Sequence, residues 1–453
     1  MTRTVPYGPP YDLKGRNVLV VGAGRSGRAA AELCLREGAA VTLTDRRADE
    51  HLDLDWAAGR PLTLHLGGHR LDDFLEADLI VPSPGVPRGI SELRRAQEAG
   101  VPILGEVEIA ASFLTAIPFV GVTGTNGKST TTALLGAILE AAGQAPFVGG
   151  NLGRPLAEAV LESRPPKSLA VELSSYQLES THHLRPDVAV LLNLAPDHLA
   201  WHGSFEAYGQ AKAKLWQRQG PGDTLVTSAD DPAALALAEG AASRLRTFSV
   251  EGRDADARGE QGLVVVGTRR YRIGGPALRG PHNLANAAAA ILAAEALGVA
   301  PDAIQAGLDA FRGLPHRLEV VRERGGVSWI DDSKATNVES ARTALRSFPG
   351  GIVWIAGGRG KGAAYAPLSG LVRERVRVLL AIGEEAPLLL RELGGAVEVA
   401  EAAGDLEAAV RRAAALARPG EVVLLSPACA SFDQYESYVQ RGMHFRRLVE
   451  ALP

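Results

Sequence analysis

The chain has 453 residues, 46% of them hydrophobic and 22% charged, the balance of a globular protein of about two to four domains. Its 48 basic and 52 acidic residues leave a formal charge of -4, which argues against an electrostatic nucleic-acid binder. Two cysteines, Cys34 and Cys429, exclude a disulfide framework, and no apolar run reaches the roughly 18 residues of a membrane span, so a cytoplasmic protein is expected. Seven of the 48 basic residues are lysine and 41 are arginine. A lysine that persists in such a chain is a candidate for a role only an amine can fill, because arginine neither loses its proton nor acts as a compact point charge.

Taken in chain order, Asn17 to Val21 is an apolar run that predicts a buried strand. Gly22-Ala-Gly24-Arg25-Ser26-Gly27 follows, then a helical pattern to Arg36 and a strand from Ala40 ending at Asp45. This βαβ opening carries the glycine spacing that lets backbone approach a phosphate at a helix N-terminus, with an acid placed to reach a ribose. A nicotinamide dinucleotide fits it. Arg46 and Arg47 directly after Asp45 suit a phosphate or a uracil-type ligand as well. Further strands are expected at Leu79 to Pro82 and Pro102 to Leu104, and Ser83 could line the same crevice.

A second βα unit begins at Pro118 to Val122. Its turn, Gly121-Val-Thr123-Gly124-Thr125-Asn126-Gly127-Lys128-Ser129-Thr130, resembles a P-loop, although Val122 stands five before Gly127 where the strict motif has glycine. Backbone N–H groups and the helix dipole would cradle phosphate, Lys128 would neutralise it, and Ser129 could ligate Mg2+. The next strands, Leu169 to Leu173 and Val188 to Leu192, end in Glu172 and in a run from Asn193 to His198, where a metal or activated water would be held. Lys212 and Lys214 lie on a helix, where two lysines ordinarily mark a solvated face. A hairpin or meander is expected over Leu263 to Ile273, and His282-Asn283-Leu-Ala-Asn286 opens an Ala-rich helix.

His316-Arg317 precedes a third βα series, with strands near Val327, Ile352, Val378 and Val422. Polar clusters end three of them: Asp331 to Asn337, Gly357 to Lys361, and Ser426 to Gln434. Strands alternating with helices imply an α/β protein of mostly parallel sheets covered on both faces, with domain boundaries near residues 106 and 313.

Together these motifs are similar to those of the Mur ligases: Gly-x-Thr-Gly-Thr-Asn-Gly-Lys-Ser at 121–129, then Glu172, His198, the His-Asn-x-x-Asn at 282–286 and His316-Arg317, in the family's order. Asp332-Ser-Lys334-Ala-Thr336-Asn337 and Ser426-Pro-Ala-Cys-Ala-Ser431-Phe432-Asp-Gln434 look like the member that takes D-glutamate. One departure stands out: the family commonly has Leu-Asp after the His198 position, and this chain has Leu199-Ala200-Trp201. The resemblance implies three domains: a Rossmann-like UDP domain at 1–106, a P-loop ATPase domain at 107–313 and a Rossmann-like amino-acid domain at 314–453. It implies a monomer that joins D-glutamate to UDP-N-acetylmuramoyl-L-alanine with ATP, without stable membrane insertion. Gly24, Arg25, Ser26, Asp45, Arg46, Ser83, Asn151 and His198 would then meet the UDP substrate. Gly124 to Thr130, Asn283, Arg317, Asp332 and Lys334 would meet ATP. Thr336, Lys361, Ser431, Phe432 and Tyr438 would meet D-glutamate. Two Mg2+ sites would use Ser129, Glu172, His198 and a CO2-derived carbamate on Lys212, with Lys128, Glu172, His198 and Lys212 forming the catalytic set. Two rivals are a folylpolyglutamate-type amide ligase and a dinucleotide-binding regulator whose P-loop only senses nucleotide.

Overall fold

The computed structural model describes residues 11–48, 52–274, 278, 280–360 and 362–453. Among the described residues, three separate sheets organise the chain. The first holds β1 (Asn17–Val21), β2 (Ala40–Asp45), β3 (Leu62–Leu66) and β4 (Leu79–Pro82), all parallel, in the order β3-β2-β1-β4. β1 and β4 are buried almost throughout, which is why they read as unbroken apolar runs. Pro102 to Leu104 makes only an isolated bridge, Ile80 to Ile103, because Pro102 has no N–H to give a ladder.

The second sheet has nine strands: β5 (Phe119–Thr123), β6 (Pro146–Gly150), β7 (Ser168–Glu172), β8 (Val188–Leu191), β9 (Thr224–Ser228), β10 (Arg244–Ser249), β11 (Ala257–Glu260), β12 (Leu263–Val266) and β13 (Arg269–Arg272). The order is β13-β12-β11-β10-β9-β8-β5-β7-β6, parallel except for the β11–β12–β13 meander. β5 sits between β7 and β8, so the chain reverses its winding at the carboxyl end of β5. Ligands of open α/β sheets bind at such a reversal. The helices Lys128–Ala141 and Pro281–Ala296 cover this sheet, and the second buries ten residues, six of them alanine, through which it packs closely.

The third sheet holds β14 (Glu319–Arg324), β15 (Val327–Asp331), β16 (Ile352–Gly357), β17 (Val376–Ile382), β18 (Val399–Gly404) and β19 (Val422–Leu425). Its order is β14-β15-β19-β16-β17-β18, with only β14 antiparallel. Two apolar clusters cover its faces, one around Trp354 and Leu345, the other around Phe445 and Val410. The chain divides into two compact units; the first two sheets form one and Phe311–Pro453 builds the other.

Candidate functional site

In the first sheet, the glycine-rich turn joins β1 to the helix Arg25–Arg36, with Gly24 as N-cap. A Cβ on Gly27 would lie 1.8 Å from the Gly22 carbonyl oxygen, so no other residue fits there. The Ala23 amide donates to Asp45 Oδ2 at 2.8 Å, and the Arg47 guanidinium takes both carboxylate oxygens at 2.9 and 3.0 Å. Burial would raise the Asp45 carboxyl, but these bonds outweigh it and hold it well below the usual carboxylate range. Asp45 therefore serves to close the turn, and a ligand would have to displace Arg47 to reach it. Arg25 and Arg46 are exposed at the rim, Ser26 is partly so, and the Ser83 hydroxyl donates to the Gly22 carbonyl at 3.1 Å.

The P-loop lies at the reversal of the second sheet. Gly124 has φ +147° and Gly127 φ +83°, and a Cβ on Gly127 would sit 2.2 Å from Asn286 Oδ1. Thus Asn286, which the motif contained without a role, closes over the loop, and its amide donates to Asn283 at 3.2 Å. Asn193 clamps the other side: its Oδ1 accepts from the Asn126 amide at 2.8 Å and its Nδ2 donates to the Asn126 carbonyl at 3.1 Å. Lys128 folds back to donate to the Gly124 and Thr125 carbonyls at 2.9 and 2.8 Å, while Ser129 and Thr130 are buried in the first helical turn.

Register fixes the carboxylate. Val122 of β5 pairs with Glu172 of β7, which places Glu172 beside the start of the loop. Glu172 is 2% exposed; Asn151 donates to its Oε1 at 2.8 Å, and its Oε2 is buried with no hydrogen-bond partner. An orphaned carboxylate oxygen costs about 1–3 kcal/mol, and a hard cation would satisfy it. On the other side of β5, β8 leads to His198, which has φ +52° and is about half exposed. Burial lowers the His198 pKa, opposed by Asp197 and assisted by Lys128 and Lys212.

Lys212 is 1% exposed, not on a solvated face. Its ammonium nitrogen lies 2.8 Å from the Gly124 carbonyl oxygen and 4.5 Å from the Tyr208 ring centroid. Burial first, then Lys128, lowers its pKa well below the ordinary lysine value, against the pull of Asp197 and Glu172. Lys214 points elsewhere: it donates to the Glu179 carbonyl at 2.7 Å and holds the end of the helix Ser175–Glu179. The structure thus gathers Lys128, Glu172, His198 and Lys212 around one loop, with Asn151 at the Glu172 carboxylate and buried Asn283 beside Asn286.

In the third sheet, β15, β19 and β16 are adjacent and parallel, so the loops after them emerge at one edge. Asp332, Lys334 and Thr336 follow β15, Ser431 and Phe432 follow β19, and Arg359 of the loop after β16 pairs with Ala430. His316 and Arg317 enter antiparallel β14 at the same edge, with His316 Nδ1 2.7 Å from Asp331 Oδ2. Asp332 is buried and pushed up to about 7 by that burial, with the Ser426 hydroxyl donating to it at 2.7 Å. Phe432 is 64% exposed, Ser431 is buried, and Tyr438 opens the helix Tyr438–Glu450, its carbonyl accepting from Ser333 at 2.8 Å. Lys361 lies outside the described residues. Sequence reasoning missed Arg441, a buried guanidinium that donates to Ser333 Oγ and to the Ser333, Cys429 and Ala430 carbonyls at 3.0 to 3.3 Å, tying two of these loops together. It stands outside the motif residues, on a helix, and its partner Ser333 is 108 positions away in sequence.

Three family models match in order: the Mur ligase MurD-like N-terminal domain over residues 16–105, the Mur ligase middle domain over 122–294 and the Mur ligase glutamate ligase domain over 316–429. The chain belongs to the Mur ligase family. It is 52% identical to a Mur ligase of Anaeromyxobacter dehalogenans named UDP-N-acetylmuramoylalanine--D-glutamate ligase, over 96% of this chain and 98% of that one. A Myxococcus xanthus protein of the same name is 48% identical, over 97% and 99%. Among solved Mur ligases, the Thermotoga maritima MurC structure superposes with a TM-score of 0.62 at 19% identity, covering 96% of this chain and 99% of that chain. The T. maritima MurF structure in complex with ADP gives 0.59 at 20% identity and 96% coverage of each. These two likenesses carry the Mur ligase fold.

Proposed function

We propose that this Mur ligase joins D-glutamate to UDP-N-acetylmuramoyl-L-alanine at the expense of ATP, a step of peptidoglycan precursor synthesis. The choice of substrates rests on the relatives named for that activity, 52% and 48% identical over nearly the whole chain. The observation that carries the chemistry is the phosphate loop of β5 built against a buried lysine and a buried carboxylate with a free oxygen. In this reading residues 1–106 hold the UDP substrate, 107–313 hold ATP and 314–453 hold D-glutamate, in a cytoplasmic monomer.

The reaction moves the γ-phosphoryl group of ATP to the substrate carboxylate. The acyl phosphate is attacked by the amine of D-glutamate, a tetrahedral adduct forms, and collapse releases phosphate and leaves the amide. Two anions must approach in the first step, so the site needs a surplus of positive charge. Lys128, now bonded to its own loop, would turn its donors to the β- and γ-phosphates. Mg2+ supplies further charge neutralisation when bound, and Ser129, Glu172 and His198 are the donors that fit it. Lys212, whose pKa burial lowers, is suited to add CO2: in its neutral form the nitrogen forms the bond to carbon and sheds a proton, giving an anion with two hard oxygens. His316, Arg317, Asp332 and Lys334 would complete the nucleotide contacts. Thr336, Lys361, Ser431, Phe432 and Tyr438 would receive D-glutamate.

The test is phosphate release in a mixture of protein, ATP, Mg2+, UDP-N-acetylmuramoyl-L-alanine and D-glutamate, each omitted in turn. Release that needs all of them supports the reading. Release with a folate substrate instead would move the protein to the folylpolyglutamate type, and no release with either would leave only nucleotide sensing.

A further inference from the structure

The turn that carries His198 is not stable on its own terms. His198 has a left-handed backbone and caps a helix of four residues, Leu199–His202, with no side-chain cap. Helices this short gain little from their own hydrogen bonds, so contacts outside the helix set where the ring stands. The ring itself meets Tyr176 and the Asp197 carboxylate, the latter 3.5 Å from its Nε2, and the rest of the short helix is held by Glu179. Its Oε2 accepts from Trp201 Nε1 at 3.1 Å and its Oε1 meets His202 Nδ1 at 2.9 Å, one oxygen to each of two consecutive residues. The His202 side chain is 1% exposed, and its other nitrogen lies 3.0 Å from Ser175 Oγ. Tyr176 packs edge-on to both His198 and Trp201, with centroids 4.9 and 4.8 Å away. From the first sheet, Arg88 reaches the same carboxylate at 3.3 Å and also bonds Ser180. Arg88 belongs to the loop after β4, whose Ser83 meets the glycine-rich turn.

We propose that Glu179 is a positioning residue: it grips Trp201 and His202 to set the His198 ring, and it couples that setting to the substrate-binding loop through Arg88. The proposal rests on the ligase reading and adds to it a role for the loop in which this chain departs from its family. Trp201 supplies an indole N–H to Glu179 beside the contacts of His202 and Arg88.

The test uses the full chain with Glu179→Gln, Trp201→Phe and the double variant. Glu179→Gln should lower kcat about tenfold, with KM for ATP changed less than about twofold and the melting temperature retained, since a ring displaced by a fraction of an ångström spoils alignment more than binding. Trp201→Phe keeps the ring packing and loses one donor, and should cost about threefold. The double variant should be no worse than Glu179→Gln, because Trp201 acts through it. Arg88→Lys, which keeps the charge, should retain more activity than Arg88→Ala. The His198 ring 15N resonances should move in Glu179→Gln in the absence of any substrate. Unchanged resonances with unchanged kcat, or strictly additive losses, would overturn the proposal. If the wild type fails to turn over these substrates, the ligase reading falls, and the resonance shift still decides the role of Glu179.

Discussion

Lys128 and Lys212 share the Gly124 carbonyl, yet their environments give them opposite tasks. Lys128 is half-buried, and in the proposed reading it serves the phosphate. Lys128→Ala should lower phosphate release by about 10²–10³-fold, the cost of one well-placed charge in a transition state, with the circular dichroism spectrum unchanged. Lys212 is driven toward the neutral amine by burial and by Lys128 itself. Lys212→Ala should lose activity on a similar scale and recover part of it in acetate, which offers two oxygens where a carbamate would stand. Lys212→Arg should stay inactive in the same assay, since guanidinium cannot take up CO2; full activity in that variant would remove the carbamate from the mechanism.

Among the elements, the helix Glu106–Ser112 leads from the first sheet to the second and buries its leading carboxylate. Glu106 accepts from the Ala157 amide at 2.5 Å, its Oε2 has no partner, and burial pushes its pKa from 4.5 up to about 7. The folded protein therefore binds this proton more tightly than the unfolded chain does. Stability from this group is fully present below pH 4.5 and is lost as pH rises toward about 7. Glu106→Gln keeps an acceptor for Ala157 and removes the buried charge. Its melting temperature should exceed that of the wild type at pH 8, by up to about 3 kcal/mol in stability, and the two should converge near pH 4. In the third sheet, Arg441 bridges two loops with donors in fixed directions. Arg441→Lys keeps the charge and loses that fork, and should cost about 1–3 kcal/mol in urea unfolding while raising KM for D-glutamate more than KM for ATP.

For the whole molecule, three sheets present their carboxyl edges to three ligands in the proposed reading, and the first decides between two cofactor classes. Asp45 is already engaged by Arg47 and the Ala23 amide, so a ribose of either ligand class would reach it only by displacing Arg47, and binding itself must choose between them. Calorimetric titration should give binding of a UDP-sugar peptide and no binding of NAD. Tight NAD binding without the UDP ligand would return the first sheet to the dinucleotide alternative.

What the sequence determined by itself was whatever is local: the βα turns with their glycines, the apolar parallel strands, the order of the motifs and, through them, the family and its three-domain α/β architecture. Such features depend on a few consecutive residues and on backbone sterics, so they stay visible in one dimension. β3, β6, β9, β10, β11, β14 and β18 were not legible: β3, β6, β14 and β18 lie at sheet edges, β10 and β11 are half-exposed, and the buried β9 carries Thr224, Thr227 and Ser228, so none reads as an unbroken apolar run and each owes its existence to the neighbour it pairs with. The site divides the same way. Lys128 and Ser129 could be placed by their motif, whereas the burial of Lys212, the free oxygen of Glu172, the clamp of Asn193 and the fork of Arg441 were decided only when strands and helices far apart in sequence met. Desolvation and hydrogen-bond satisfaction belong to the packed surroundings of a group, and those surroundings exist only in the tertiary structure.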